Sequence, residues 1–159
     1  MTKPKLYIET TVFNFVFADD SPEKRDDTLA LFAEIKHGKF DVFTSEYALD
    51  ELSAAPEGKR VKMLELIRDH AIKVIAKSDE AVAIAKDYIS QGAIPKKYET
   101  DALHIAIASI AGIDIIVSLN FKHIVKHKTK TVTEAVNLLR GYKKVAICAP
   151  SEVTDYEND

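Results

Sequence analysis

The chain has 159 residues with five glycines, five prolines and one cysteine, and its formal net charge is −3. An apolar share of 47% and a charged share of 30% in one domain's length exclude a disordered, collagenous or disulfide-framed chain. No apolar run reaches the ~20 residues of a membrane span and none opens the chain as a leader, so a soluble cytoplasmic protein is expected, which also suits the lone Cys148.

Strand and helix patterns alternate along the sequence. Lys5 to Glu9 reads as a short strand, with Leu6 and Ile8 on one face and Tyr7 and Glu9 on the other. Ser21-Pro22 starts a helix that Gly38 ends. Asp41 to Thr44 is a second strand, and Ser45 is expected to cap a short helix that Pro56 breaks. A helix over about 57–70 follows, then a third strand, Ile72 to Ile75. Ser78 caps a helix ending near Gly92, and Pro95 precedes another, from about Tyr98 to Ala111. Ile115 to Leu119 is apolar almost throughout, as in a strand buried on both faces of a parallel sheet. Thr133 is expected to cap a helix that Gly141 stops, and Val145 to Cys148 is the last strand. The pattern predicts an α/β fold, a three-layer α/β/α sandwich with a mostly parallel central sheet, in a single domain over 1–150. Residues 151–159, with Glu152, Asp155, Glu157 and Asp159 and no base, are expected to fray.

Charge is unevenly placed. Without that acidic tail the body is close to neutral, yet Lys122 to Lys130 holds Lys122, Lys126, Lys128, Lys130, His123 and His127 and no acid. Such a patch suits phosphate binding, although a solvated surface explains it equally well. Val12, Phe13, Phe15, Val16 and Phe17 form an apolar cluster too large for one face of a short segment. Part of it is expected at a contact, either in a homodimer or with a partner protein.

Parallel sheets bind ligands beyond the carboxyl ends of their strands. Glu9 ends the first strand, and Glu46, Asp50 and Glu51 lie on the helix after the second. Asp101 falls in the first turns of a helix, and Asn120 directly follows the fourth strand. These are oxygen donors, the kind that hold Mg²⁺ or Mn²⁺. Each also has an ordinary structural explanation, as a solvated side chain, a turn residue or a partner of the helix dipole. A buried carboxylate on a central strand is harder to explain that way. His104, in a helix apolar almost all round, reads as a hydrogen-bonded core histidine sooner than as a ligand or base. Periodicity leaves Glu46 and Glu51 equivalent.

Tyr7-Ile8-Glu9-Thr10-Thr11-Val12, the segment from Ser45 to Glu51-Leu52, Asp101-Ala102-Leu103-His104-Ile105-Ala106 and Ser118-Leu119-Asn120-Phe121-Lys122-His123 together resemble the PIN-domain ribonucleases, which include the toxins of toxin–antitoxin pairs. The resemblance covers about residues 5–150. It selects Glu51 over Glu46 and implies catalytic Glu9, Glu51 and Asp101, which with Asn120 hold the metal, while Thr10 and Ser118 orient those ligands. It departs from the family's pattern at Glu9, where Asp is usual, and at Asn120, where many members have a carboxylate.

The expected activity is Mg²⁺- or Mn²⁺-dependent endoribonucleolytic cleavage, for which the resemblance implies 5′-phosphate and 3′-hydroxyl ends. Lys122, Lys126, Lys128 and Lys130 would follow the RNA backbone, and a cognate antitoxin and a second copy of the chain are the expected protein partners. The alternative, motivated by Glu9 and Asn120, is a catalytically weak PIN-like module that binds RNA or protein.

Overall fold

In a computed structural model, which describes residues 2–154, the strands β1 (Lys5–Ile8), β2 (Asp41–Ser45), β3 (Lys73–Ile75), β4 (Ile115–Val117) and β5 (Ala146–Cys148) form one five-stranded sheet in the order β3-β2-β1-β4-β5. Every pairing is parallel, with Leu6 of the central strand set between Val42 and Ile115. Neighbours on opposite sides of β1 are reached by connections running in opposite directions. The crevice beyond its carboxyl end is therefore where such a sheet takes a ligand.

The period-2 alternation of β1 divides the core as expected. Leu6 and Ile8 pack on one face with Leu31 and Phe32 of α2 (Pro22–Lys36) and Met63 and Ile67 of α4 (Glu57–Asp69). Tyr7 packs on the other with Ile84 and Tyr88 of α5 (Asp79–Ser90), Ile105 of α6 (Glu99–Ile110) and Val136 of α7 (His127–Arg140). Three layers follow from this, an α/β/α sandwich. Across the second interface Tyr88 gives its hydroxyl to Asn137 Oδ1 at 2.5 Å and lies 3.2 Å from Ser109 Oγ, so three helices share one buried polar contact.

Several local expectations are corrected. Residues after Glu9 form a helix, α1 (Thr10–Phe15), which buries Val12 and Phe13 completely and leaves Phe15, Val16 and Phe17 half-buried. Helical rather than strand spacing thus places much of the apolar cluster inside. Ser45 stands at the N-cap of α3 (Glu46–Ser53) but makes no side-chain cap bond, because its Oγ pairs with the Tyr7 hydroxyl at 2.7 Å. Helix α7 begins six residues before Thr133, whose Oγ1 donates to Thr129 O inside the helix; Gly141, at φ 81°, ends it as expected. Ser151–Thr154, at the start of the tail expected to fray, are helical. They belong to α8 (Pro150–Thr154), whose Val153 is buried against the α2 side of the sheet; the rest of the acidic tail lies outside the described residues. No helix among the described residues is long and apolar enough to cross a membrane.

Candidate active site

Glu9 follows β1 and is the N-cap of α1, so its backbone bonds the sheet, donating to Val117 O at 3.0 Å, while its side chain turns into the crevice. It is almost fully buried, 2% exposed, a position a carboxylate holds only with donors around it. Those donors are Thr11 Oγ1 and Ser118 Oγ, each 2.6 Å from Oε1, and Thr11 N, 3.2 Å from Oε2. Thr11 Oγ1 in turn accepts from Leu119 N at 2.9 Å, which ties the end of β4 to the start of α1.

Glu51 reaches the same crevice from α3. Its Oε1 accepts from Thr10 Oγ1 at 2.8 Å and from His104 Nε2 at 2.5 Å. The His104 ring is fully buried, and its Nδ1 lies 2.6 Å from the Tyr7 hydroxyl, itself bonded to Ser45. Both ring nitrogens are thus engaged, and His104 braces Glu51 as the hydrogen-bonded core histidine expected of it. Burial and the nearby charges of Glu9 and Glu51 push the Tyr7 phenol far above its usual value, keeping it neutral. Glu46 lies elsewhere. It accepts from Lys77 N at 2.7 Å and ties α3 to the segment after β3.

Asp101, in the first turn of α6, completes the acidic group. Burial, then the charge of Glu9, pushes its carboxyl up to about 6, against the pull of His104 and a hydrogen bond from Asn120. Asn120 also accepts His123 N at 3.0 Å on its Oδ1, and its own N–H is held by Ser118 Oγ at 3.0 Å. Among the described residues the ligand atoms that approach most closely are those of Glu9, Glu51 and His104, within 4.8 Å of one another. Asp101 and Asn120 border that group.

Glu9, Glu51 and Asp101 therefore face one crevice, together with Thr10 and Ser118, whereas Glu46 and Asp50 both bond Lys77 away from it. The parts missed were Thr11, Tyr7 and Ser45 and the use of His104 as a brace. Spacing carried some of that signal: Asp101 and His104 are three apart on α6, which sets both on one helix face. The donor set fits a hard divalent cation, since carboxylate and amide oxygens predominate; the Asp101 carboxyl is raised by burial first and by the charge of Glu9 second, with His104 pulling the other way.

A five-stranded all-parallel sheet with acids over its central crevice defines a PIN-like α/β fold, and that is the fold of this chain. Among solved structures it is similar to a chain in the crystal structure of VapBC2 from Rickettsia felis bound to a DNA fragment from their promoter. The TM-score is 0.56 at 13% identity, covering 91% of this chain and 98% of that one. At this identity the likeness is one of fold. No protein-family model matches the chain, and no curated protein matches it.

Proposed function

We propose that this protein is a divalent-metal-dependent endoribonuclease, the toxin of a toxin–antitoxin pair acting in the cytoplasm. What carries the reading is the convergence of Glu9, Glu51 and Asp101 beyond the carboxyl end of β1, on a fold shared with a VapBC2 chain. Glu9, Glu51, Asp101 and Asn120 would hold Mg²⁺ or Mn²⁺. When bound, such an ion lowers the pKa of a water and offsets charge gathering on a phosphodiester.

The chain's own residues do the positioning. Ser118 and Thr11 fix the Glu9 carboxylate, and Thr10 and His104 fix that of Glu51. Asn120 lies beside Asp101 and favours its ionised form. No side chain serves as nucleophile. Lys122, Lys126, Lys128 and Lys130 supply positive charge for the RNA backbone. VapBC2 is bound to a fragment of its promoter DNA in that crystal structure, which supports an antitoxin partner for this chain as well. The half-buried Phe15, Val16 and Phe17 would lie at a homodimer or antitoxin contact.

One observation favours the alternative of a weakly catalytic binding module. Oε1 of Glu9 and Oε1 of Glu51 each already accept two side-chain donors, leaving fewer lone pairs for a cation. Incubating the purified protein with mixed structured and single-stranded RNA separates the two readings. Cleavage that needs Mg²⁺ or Mn²⁺ and stops with EDTA supports the nuclease, whereas RNA binding without cleavage in either metal supports the module. Light scattering at high micromolar concentration tests the homodimer, which a monomer there would contradict.

A further inference from the structure

A cavity of about 380 Å³ opens beside the acidic crevice, lined by Lys96, Lys122, Lys126 and Lys128, by His123, and by the Gly92–Pro95 turn. No acid among the described residues lines it. We propose that this cavity binds a backbone phosphate of the RNA strand whose neighbouring phosphodiester lies at the acidic crevice. The inference deepens the nuclease reading and rests on it for the identity of the strand.

Like charges gathered around one hollow repel one another, and here the fold increases that cost. Helix α7 starts at the cavity wall with Lys126 as its N-cap, no side chain capping it, and no acid in its first turn. The free N–H groups and the positive end of the helix dipole therefore add to the lysine charge instead of being offset. A phosphate resolves both problems, accepting from the helix N–H groups and pairing with the ammonium groups.

His123 adds an independent observation. Its Nε2 is buried with no hydrogen-bond partner among the described residues. The ring is held in place by stacking on Tyr98, with centroids 3.9 Å apart. The stacked ring thereby forms a fixed part of the cavity wall beside Lys122 and Lys126.

The cavity is built in advance and coupled to the crevice. Thr129, fully buried, donates to Ala93 O at 3.2 Å and to His123 O at 2.7 Å, which joins its two walls. Asn120 O accepts from both Ile124 N and Val125 N, and Asn120 Oδ1 from His123 N. One tight turn thus carries Asn120 of the acidic crevice together with Lys122 and His123 of the cavity wall, so the two sites adjoin along the chain. Lys130 is not part of it. It does not line the cavity, and its charge is felt at Cys148 near the sheet edge.

The test is binding of a fluorescent, short, mixed-sequence single-stranded RNA by the full chain in EDTA, followed by anisotropy over a range of salt. Lys126→Ala and Lys128→Ala should each weaken binding several-fold and lower the log–log salt slope by about 0.7. Lys59→Ala, at an exposed position of α4, should change neither. Inorganic phosphate at millimolar concentration should compete. Unchanged affinity and slope in a folded Lys126→Ala/Lys128→Ala double variant would overturn the proposal. Lysine-dependent thermal protection by inorganic phosphate with RNA affinity unchanged would also overturn it, by assigning the cavity to a small free anion. Lysine-dependent RNA binding without any cleavage in Mg²⁺ or Mn²⁺ would uphold the cavity and contradict the nuclease reading. Cleavage with undiminished RNA affinity in both variants would do the reverse.

Discussion

His104 Nε2 lies 2.5 Å from Glu51 Oε1, the imidazole wholly buried and the carboxylate 38% exposed. Burial disfavours the charged imidazole, but the hydrogen bond to Glu51 and the charges of Glu9, Glu51 and Asp101 outweigh it and raise its pKa. Burial also pushes the Glu51 carboxyl up, yet the hydrogen bonds from His104 and Thr10, with the charge of His104, bring it below its ordinary value. The raised imidazole contributes stability that is full below the ordinary histidine value and fades as pH rises through its folded value. The lowered carboxyl contributes stability that is full above the ordinary carboxylate value and fades as pH falls through its folded value. The pair stabilises the fold most between those two limits.

Replacing His104 tests that pair. His104→Ala leaves the Tyr7 hydroxyl and the Glu51 carboxylate without their partner and opens a cavity, so it should destabilise the protein by about 2–4 kcal/mol. Urea unfolding from mildly acidic to alkaline pH should also show that the variant has lost the decline in stability that the parent shows on the alkaline side. A variant as stable as the parent, with the same pH profile, would show that the contact contributes nothing.

Asp101 should behave in the opposite way to an ordinary paired acid. Its carboxyl stands at about 6 against an ordinary 3.8, so between those values the folded protein holds a proton that the unfolded chain gives up. Its stabilising share is full below the lower value and is lost as pH rises through about 6. Asp101→Asn removes that loss and should melt above the parent at neutral pH, with the gap closing in acid. Mg²⁺ or Mn²⁺ should raise the parent's melting temperature at neutral pH and raise the variant's much less. Scanning calorimetry at both pH values, with and without metal, reads all of this.

Tyr88 supplies a control remote from the crevice. Tyr88→Phe removes the hydroxyl shared with Asn137 and Ser109 and leaves buried polar groups short of a partner, at a cost of about 1–3 kcal/mol. Cleavage per folded molecule should be unchanged. Loss of activity in step with loss of stability would tie α5–α7 to the crevice more closely than the geometry does.

Layers and sheet were legible because they rest on local patterns, and so were Glu9 at a strand end and Asp101 at a helix start, whereas only the family resemblance separated Glu51 from Glu46. The alternation of Leu6, Tyr7 and Ile8 fixes two faces, and the apolar run at Ile115 marks a strand covered on both. Helix α1 was not legible, since Thr10–Phe15 is short and its hydroxyl and aromatic residues favour strands by propensity; the Glu9 cap and packing of Val12 and Phe13 override that. The start of α7 was missed for a related reason. Lysines at a helix N-terminus run against the dipole, so Thr133 looked the better cap. The His104–Glu51 contact joins residues 53 positions apart, a relation no local pattern encodes. The same holds for Ser118 and Glu9, 109 apart.

The account stands or falls on Glu9. Glu9→Gln keeps the side chain's length and an oxygen for Thr11 and Ser118, but removes the charge that would hold a divalent ion. The direct measurement is the rate of RNA cleavage by the parent, Glu9→Gln and Glu9→Asp in Mg²⁺ and in Mn²⁺, with melting temperatures recorded alongside. The parent should cleave, and faster with Mn²⁺, which tolerates the longer ligand in place of Asp better than the stricter Mg²⁺ does. Glu9→Asp should retain substantial cleavage, and Glu9→Gln should fold yet cleave in neither metal. Undiminished cleavage by Glu9→Gln would make Glu9 a structural cap of α1 and contradict the site.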